Sequence, residues 1–279
     1  MSTSILARVS AAVSELICYP VKGCAGHSLP SARLTARGLE HDRQLMITDA
    51  GGTFRSQRSD PVLALINPSI TDNALTLEHR EFGAVTTRID LESPTREVTM
   101  FRQPLMGIDQ GDEIARWLTA VVGESSRLVA VPPTFDRVTD GAVPGTAGFA
   151  DSAAVHILSD ATLTGLNSRV PEPLPMNRFR PNIVVTGWDE PHSEDLVRDA
   201  SIGGTVLAYT KLAIRCAVTT VDQSRGERAG PEPLKTLKTY RTAAQKGVAF
   251  GSKFTVIQEG TLSVGDEVIV SSWGESELD

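Results

Sequence analysis

The feature that most constrains this chain is the spacing of its turn residues. Short runs rich in β-branched and apolar side chains are cut, again and again, by Gly, Pro, Asn or Asp. Residues 8–21, 28–35, 43–48, 53–57, 63–70, 74–79, 85–91 and 97–101 each read as a short strand, and Asp49-Ala50-Gly51-Gly52 reads as a hairpin turn. Closely spaced strands of this kind predict a barrel or sandwich. The pattern returns later in residues 153–158, 183–186, 201–209, 211–221, 254–258, 261–262 and 267–271, with Gly203-Gly204 and Gly265-Asp266 as turns.

Helical signals are few. After a candidate N-cap at Asp112, the residues Ile114, Trp117, Leu118, Val121 and Val122 share one face, and Gly123 ends the run. Ser159 or Asp160 can cap a short helix carrying Leu163 and Leu166, and residues 232–243 read as a third. Pro132-Pro133 opens a polar stretch through Gly148 that is either a domain boundary or a mobile loop. The expected fold is therefore mostly β within an α+β class, with units at residues 8–131 and 132–273.

At 279 residues, two domains or one large barrel fit the length. A net charge of −7 argues against a general nucleic-acid surface, so any anion must be held by a local cluster of cations. The three cysteines, Cys18, Cys24 and Cys216, form no C-x-x-C pair, and so sparse a count fits a reducing compartment. No window is apolar enough for a membrane span and residues 1–14 carry no secretory pattern, which leads to the expectation of a cytoplasmic, unanchored protein. Common hydrolase, zinc-protease, P-loop and dinucleotide motifs are absent. His27, His41, His79, His156 and His192 show no ligand spacing; His156 sits in an apolar run, and His41 and Asp42 are neighbours whose side chains diverge on a strand.

Arg215-Cys216 is the point where chemistry is most expected. A thiolate suits soft or redox-active metals, and an adjacent guanidinium favours that form. A free cysteine is also among the most buried residue types, so Cys216 alone leaves ligand and core readings both open.

Several segments, taken in order, resemble the MOSC-domain proteins with an N-terminal β-barrel partner domain, among them the mitochondrial amidoxime-reducing components. They are Tyr19-Pro20-Val21-Lys22-Gly23-Cys24, Asp42-Arg43, Asn177-Arg178-Phe179-Arg180-Pro181-Asn182-Ile183-Val184, Arg215-Cys216-Ala217-Val218-Thr219-Thr220-Val221-Asp222, Leu234-Lys235-Thr236-Leu237-Lys238-Thr239-Tyr240-Arg241 and Gly265-Asp266-Glu267-Val268. The resemblance implies a MOSC β-barrel against an N-terminal barrel-like domain, with a molybdenum cofactor of the molybdopterin type in the cleft between them. It implies that Cys216 binds the metal and that Asp151 lies beside it to orient a water or relay a proton. Lys22, Gly23, Arg43, Arg180 and Arg215 would meet the anionic cofactor, with Ser152, Asn182 and Thr220 as further hydrogen-bond donors. Gly23 stands where relatives commonly carry serine, which removes a hydroxyl but leaves an N–H free to approach a phosphate.

The implied activity is two-electron reduction of small N-oxygenated (N-hydroxylated) compounds, with electrons from an external flavoprotein reductase or ferredoxin-like protein. The sequence shows no C-x₄-C-x₂-C iron–sulfur run of the kind many bacterial relatives carry, and the expectation is a protein without the membrane anchor of the mitochondrial ones. Pyridoxal phosphate binding is a further association of the family. The rivals are a carrier of the cofactor, or of sulfur on Cys216, without its own reductase activity, and a barrel without molybdenum.

Overall fold

A computed structural model describes residues 11–244 and 247–278. Its largest sheet runs, in spatial order, Val268–Trp273, Val197–Ile202, Thr205–Arg215, Gly247–Gln258, Val155–Ser159, Ile183–Thr186, Ala12–Cys18 and His27–Leu29, with Thr242–Ala243 pairing beside Gly247–Gln258. The pairs are antiparallel except Val155–Ser159 with Ile183–Thr186, whose parallel register needs a crossover that helix Asp160–Asn167 begins. The sheet closes on itself. Val268 N–H donates to Ala11 O at 2.7 Å, Val13 N–H to Asp266 O at 2.9 Å and Gly265 N–H to Val13 O at 2.8 Å. Closure removes the free edges that an open sheet would expose. Its interior is an apolar cluster that includes Val13, Leu16, Val155, Ile157, Ile183, Leu207, Tyr209 and Phe254.

A second sheet orders Thr95–Met100, Gln103–Asp109, Ser126–Ala130, Leu45–Asp49 and Val21–Lys22, accompanied by the meander Asn67–Thr71, Ala74–His79 and Gly83–Arg88. Helix Asp112–Val122 buries Ile114, Leu118 and Val121 against both, where they meet Leu45, Ile47, Leu75 and Leu128. Each such side chain contributes roughly 1.5–3 kcal/mol by leaving water. Gly123 ends the helix in the left-handed conformation, but the N-cap is Gly111 rather than Asp112, which is the first helical residue.

The large sheet draws strands from both sides of residue 131. Ala12–Cys18 and His27–Leu29 belong to the large sheet, and Ser31–Thr35 pairs with Gly260–Ser263 from the far end of the chain. Hydrogen bonding between sequence-distant strands sets these memberships, and a linear reading has no access to it. Cys18 to Val21 is thus the passage from one system to the other, and Lys22 emerges at their junction.

Local expectations fail where a proline or a tertiary contact intervenes. Pro30 splits 28–35 into two strands, and Pro61 opens a 3₁₀ turn at Pro61–Leu65 where a strand was expected. The helix expected over 232–243 is α-helical only at Leu234–Leu237, and the strands expected over 201–209 and 211–221 form instead Val197–Ile202 and the long Thr205–Arg215. The start of the opening strand, residues 8–10, lies outside the described residues. The 132–148 stretch carries a small hairpin, Val138–Thr139 with Gly145–Thr146, and is tied to the barrel. Ala142 N–H donates to Thr210 O at 2.7 Å, and Lys211 pairs with Asp140 at 2.5 Å.

One buried polar network braces the barrel behind the cleft described below. Glu194, fully buried, accepts from the Ser159 and Thr162 hydroxyls at 3.0 and 2.9 Å, and Asp195 pairs with Arg241 and accepts from the Ser252 hydroxyl at 2.9 Å. No cation pairs with Glu194 among the described residues, and burial, with Asp195 alongside, raises its carboxyl to about 7. A carboxyl that holds its proton more tightly when folded stabilises the native state fully below its unfolded value and loses that contribution as pH rises through about 7. Thermal melts between pH 5 and 8 should show this loss, on the order of 2 kcal/mol, and Glu194→Gln should flatten it.

Candidate active-site cleft

The junction of the two sheet systems opens a narrow cleft with an accessible volume of about 120 Å³. Lys22, Gly23, Arg43, Asp151, Ser152, Arg180, Asn182, Arg215 and Cys216 all line it. Nine of the ten residues expected at the site are therefore brought together from five separate segments of the chain. Thr220 is the exception. Its hydroxyl donates to Ala217 O at 2.8 Å and caps the 3₁₀ turn Ala217–Thr220, away from the cleft.

Cys216 follows directly on the strand Thr205–Arg215, at the N-cap of that turn. Of the three thiols it alone is partly exposed. Burial pushes Cys18 upward and raises Cys24 to about 12, so those two are core residues and only Cys216 is placed to meet a ligand.

The floor of the site is organised by Asp42, which is 1% exposed. One oxygen accepts from the Tyr19 N–H at 2.9 Å and from Asn182 Nδ2 at 3.0 Å, and the other accepts from Arg43 Nη1 at 2.6 Å. Asn182 also donates to Ile17 O, while its carbonyl accepts from Arg43 Nη1 and the His156 N–H. All four of its hydrogen-bonding positions are used within the protein. Asn182 is thus a strut that joins barrel to cleft, which corrects its expected role as a donor to a ligand. The Arg43 and Arg180 guanidiniums lie 4.4 and 4.3 Å from the centroid of the Tyr19 ring. Both arginines hold the left-handed backbone, φ +47° and +55°, a strain that surrounding contacts must maintain. Gly23, at φ +86°, takes the same region without a Cβ penalty.

Charge in the cleft is strongly one-sided. Lys22, Arg43, Arg180, Arg215 and Lys253 line it, and Asp151 is its one acidic lining residue among the described residues. Lys22 pairs with Asp151, whose carboxyl is held well below the usual range: burial opposes ionisation, but Lys22, Lys253 and Arg43 outweigh it. Asp151 is therefore a carboxylate at neutral pH and has no proton to give. Arg137 holds the loop behind it by donating to Gly148 O, Ala150 O and Asp151 O. Lys253 forms no ion pair among the described residues, and burial together with Arg215 and Arg43 lowers it to about 7. Arg180 Nη2 and Arg215 Nε are buried without partners, although Arg215 Nη2 donates to Phe179 O at 2.7 Å.

Sequence reasoning missed several of these residues. Gln57, fully buried, exchanges amide hydrogen bonds with Gln223 at 2.8 and 3.1 Å and donates to Gly23 O at 2.6 Å, fastening the Lys22 loop to the barrel. Lys253 had one visible signal, a charge inside the apolar strand Gly247–Gln258. His156 is buried as expected, but it also lines the cleft, and burial with Lys253 and Arg215 lowers it so far that it is neutral. His41 and Asp42 form no pair, since Asp42 is committed to Arg43.

Three outcomes follow from this geometry. Asp42→Asn leaves Arg43 buried without its counter-charge and should cost about 3 kcal/mol in urea unfolding. Millimolar pyrophosphate should raise the melting temperature of the protein by about 3–5 °C over sodium chloride of equal ionic strength. The anion raises Lys253, so binding near pH 7.5 should take up protons in calorimetry, and Lys253→Met should remove that uptake.

The sequence matches the MOSC N-terminal beta barrel domain over residues 10–125 and the MOSC domain over residues 144–269. It is 32% identical to the mitochondrial amidoxime reducing component 2 of Rattus norvegicus over 278 residues, covering 92% of this chain and 82% of that one. It is 32% identical to the component 2 of Bos taurus over 282 residues and 31% identical to the mitochondrial amidoxime-reducing component 1 of Homo sapiens over 281, with the same coverage of each chain. The chain is accordingly a member of the MOSC-domain family, homologous over most of its length to the mitochondrial amidoxime-reducing components.

Proposed function

We propose that this protein is a molybdenum-cofactor-dependent oxidoreductase that reduces small N-hydroxylated compounds with electrons from an external donor. The observation that carries this reading is a single accessible thiol, Cys216, set in a cleft whose cations exceed their counter-charges. Among the described residues no group of three or more His, Cys, Asp and Glu is placed to hold a bare ion. One thiolate is a sufficient protein ligand only for a metal that brings others with it, and a pterin dithiolene does so while carrying negative charge and a phosphate. The unpaired nitrogens of Arg180 and Arg215 suit that charge, and Arg180 offers the planar fork that phosphate recognition favours.

Cys216 would hold the metal, and Lys22, Arg180 and Arg215 would hold the anionic part, with the Gly23 loop and Ser152 at its margins. When bound, the cofactor supplies a two-electron redox centre next to the thiolate. Reduction of an N–OH group to N–H and water consumes two electrons and two protons. Asp151, kept ionised by Lys22, orients the N–OH or the departing water as a hydrogen-bond acceptor. Lys253, which forms no ion pair among the described residues and is protonated when an anion fills the cleft, is the lining group suited to deliver a proton. Arg137 and Asn182 position the Asp151 loop and Arg43 without touching the substrate.

The donor is a separate flavoprotein or ferredoxin-like protein in this reading. Among the described residues no helix is long and apolar enough to cross a membrane.

Protein expressed in cells that make the cofactor should contain molybdenum at close to one atom per chain. It should reduce benzamidoxime with viologen as donor, and Cys216→Ala should lose both metal and turnover. Full metal and activity in that variant would sink the assignment. Bound molybdenum without reduction of any N-hydroxylated compound would favour a carrier, and wild-type protein without molybdenum would favour a barrel of other function.

A further inference from the structure

The mouth of the cleft carries a group of residues that the chemistry above does not use. Thr95–Met100 and Gln103–Asp109 form a hairpin whose two central residues, Phe101 and Arg102, lie at φ +53° and +66°. Turns with both central residues left-handed favour Asn and Gly, because a bulky side chain there is strained. Phenylalanine at the first of these positions breaks the local rule. Its ring does not repay the strain by entering the core, for Phe101 remains 40% exposed. It meets Phe54 edge to face at 4.8 Å, and the two rings form one wall of the cleft mouth.

Above this wall lies Arg58. Its guanidinium is 5.4 Å from the Phe101 centroid and 5.7 Å from that of Phe54. Its side chain makes only a weak contact to the Ser56 hydroxyl at 3.4 Å, and no carboxylate pairs with it among the described residues. Arg55, three residues away, is satisfied by Asp60 and Glu124 at 2.9 and 3.0 Å, so the lack of a partner is particular to Arg58. Lys22 Nζ lies 5.1 Å from the Phe101 centroid. A ring resting on Phe101 would therefore sit within reach of the Lys22–Asp151 pair, and Ile214 and Val218 supply apolar surface to the same cleft.

We propose that Phe54, Phe101 and Arg58 form a substrate subsite that selects planar aromatic N-hydroxylated compounds bearing a carboxylate, with the ring against Phe101 and the carboxylate on Arg58. The subsite rests on the reductase reading for its chemistry, but its binding contacts belong to this chain's own residues. An exposed aromatic face gives stacking that tolerates varied rings, while an unpaired guanidinium on that face gives a charge-assisted contact that a neutral analogue lacks. The preference is thus for an anionic substrate although the protein as a whole is acidic, because the local field at the cleft is positive.

The test compares benzamidoxime with its 4-carboxylate on cofactor-loaded protein, with dissociation constants from calorimetry and KM and kcat from viologen-driven turnover. The carboxylate should bind about tenfold more tightly. Arg58→Ala should bring the two dissociation constants to near equality. Phe101→Asn keeps a residue that tolerates the turn and should weaken both compounds about fivefold, and Arg102→Ala on the exposed side should change neither. Equal binding of the two compounds by the wild type, or a preference that survives Arg58→Ala, overturns the subsite. A preference that Arg58→Ala abolishes, in a protein that reduces neither compound, upholds the subsite and defeats the reductase reading.

Discussion

The buried carboxylate of Asp42 is the interaction on which the geometry of the cleft depends. It accepts from the backbone of Tyr19 where the chain passes between the two sheet systems, from the barrel residue Asn182, and from Arg43. A carboxylate removed from water is costly unless it is paired and its lone pairs are used, and here both conditions are met. Register between the two sheet systems is set at the same atoms that aim Arg43 and, through Tyr19, stack Arg180.

The excess of positive charge in the cleft follows from that frame. Lys22, Arg180, Arg215 and Lys253 come from separate segments and approach one another only because the backbone holds them there. Burial, with Arg215 and Arg43 close by, lowers Lys253, and the attraction of Lys22, Lys253 and Arg43 keeps Asp151 ionised. Such a cluster is poorly satisfied by the protein alone, and an anionic ligand relieves it. Left-handed backbone at Arg43, Arg180 and Phe101 adds a further local cost at the cleft.

Much of the site was legible in the chain because its members sit in compact local motifs. Lys22 beside a turn glycine, Arg180 before Pro181 and Arg215 before Cys216 are visible as short combinations, and the structure gathers them. The roles of Asn182 and Thr220 were not legible. Whether a polar side chain faces a ligand or is consumed by its neighbours depends on partners such as Ile17 O and Ala217 O, which differ greatly in sequence separation. Gln57, Phe101 and Lys253 gave little signal because an amide, an exposed aromatic or a strand lysine is ordinary until its surroundings are known.

The sequence by itself determined the β-rich class, the amphipathic helix with Ile114, Leu118 and Val121 inward, and the positions where turns must fall, since these depend on side-chain period and backbone preference over a few residues. Only the tertiary structure decided that the first strand belongs to the barrel of the C-terminal half, that the barrel closes between residues 11–13 and 265–268, and that Cys216 is open while Cys18 and Cys24 are buried. Those outcomes rest on hydrogen bonds and burial between residues far apart in the chain. Their physical cause is the requirement that every strand edge and buried charge find a partner, which is met only once the whole fold is assembled.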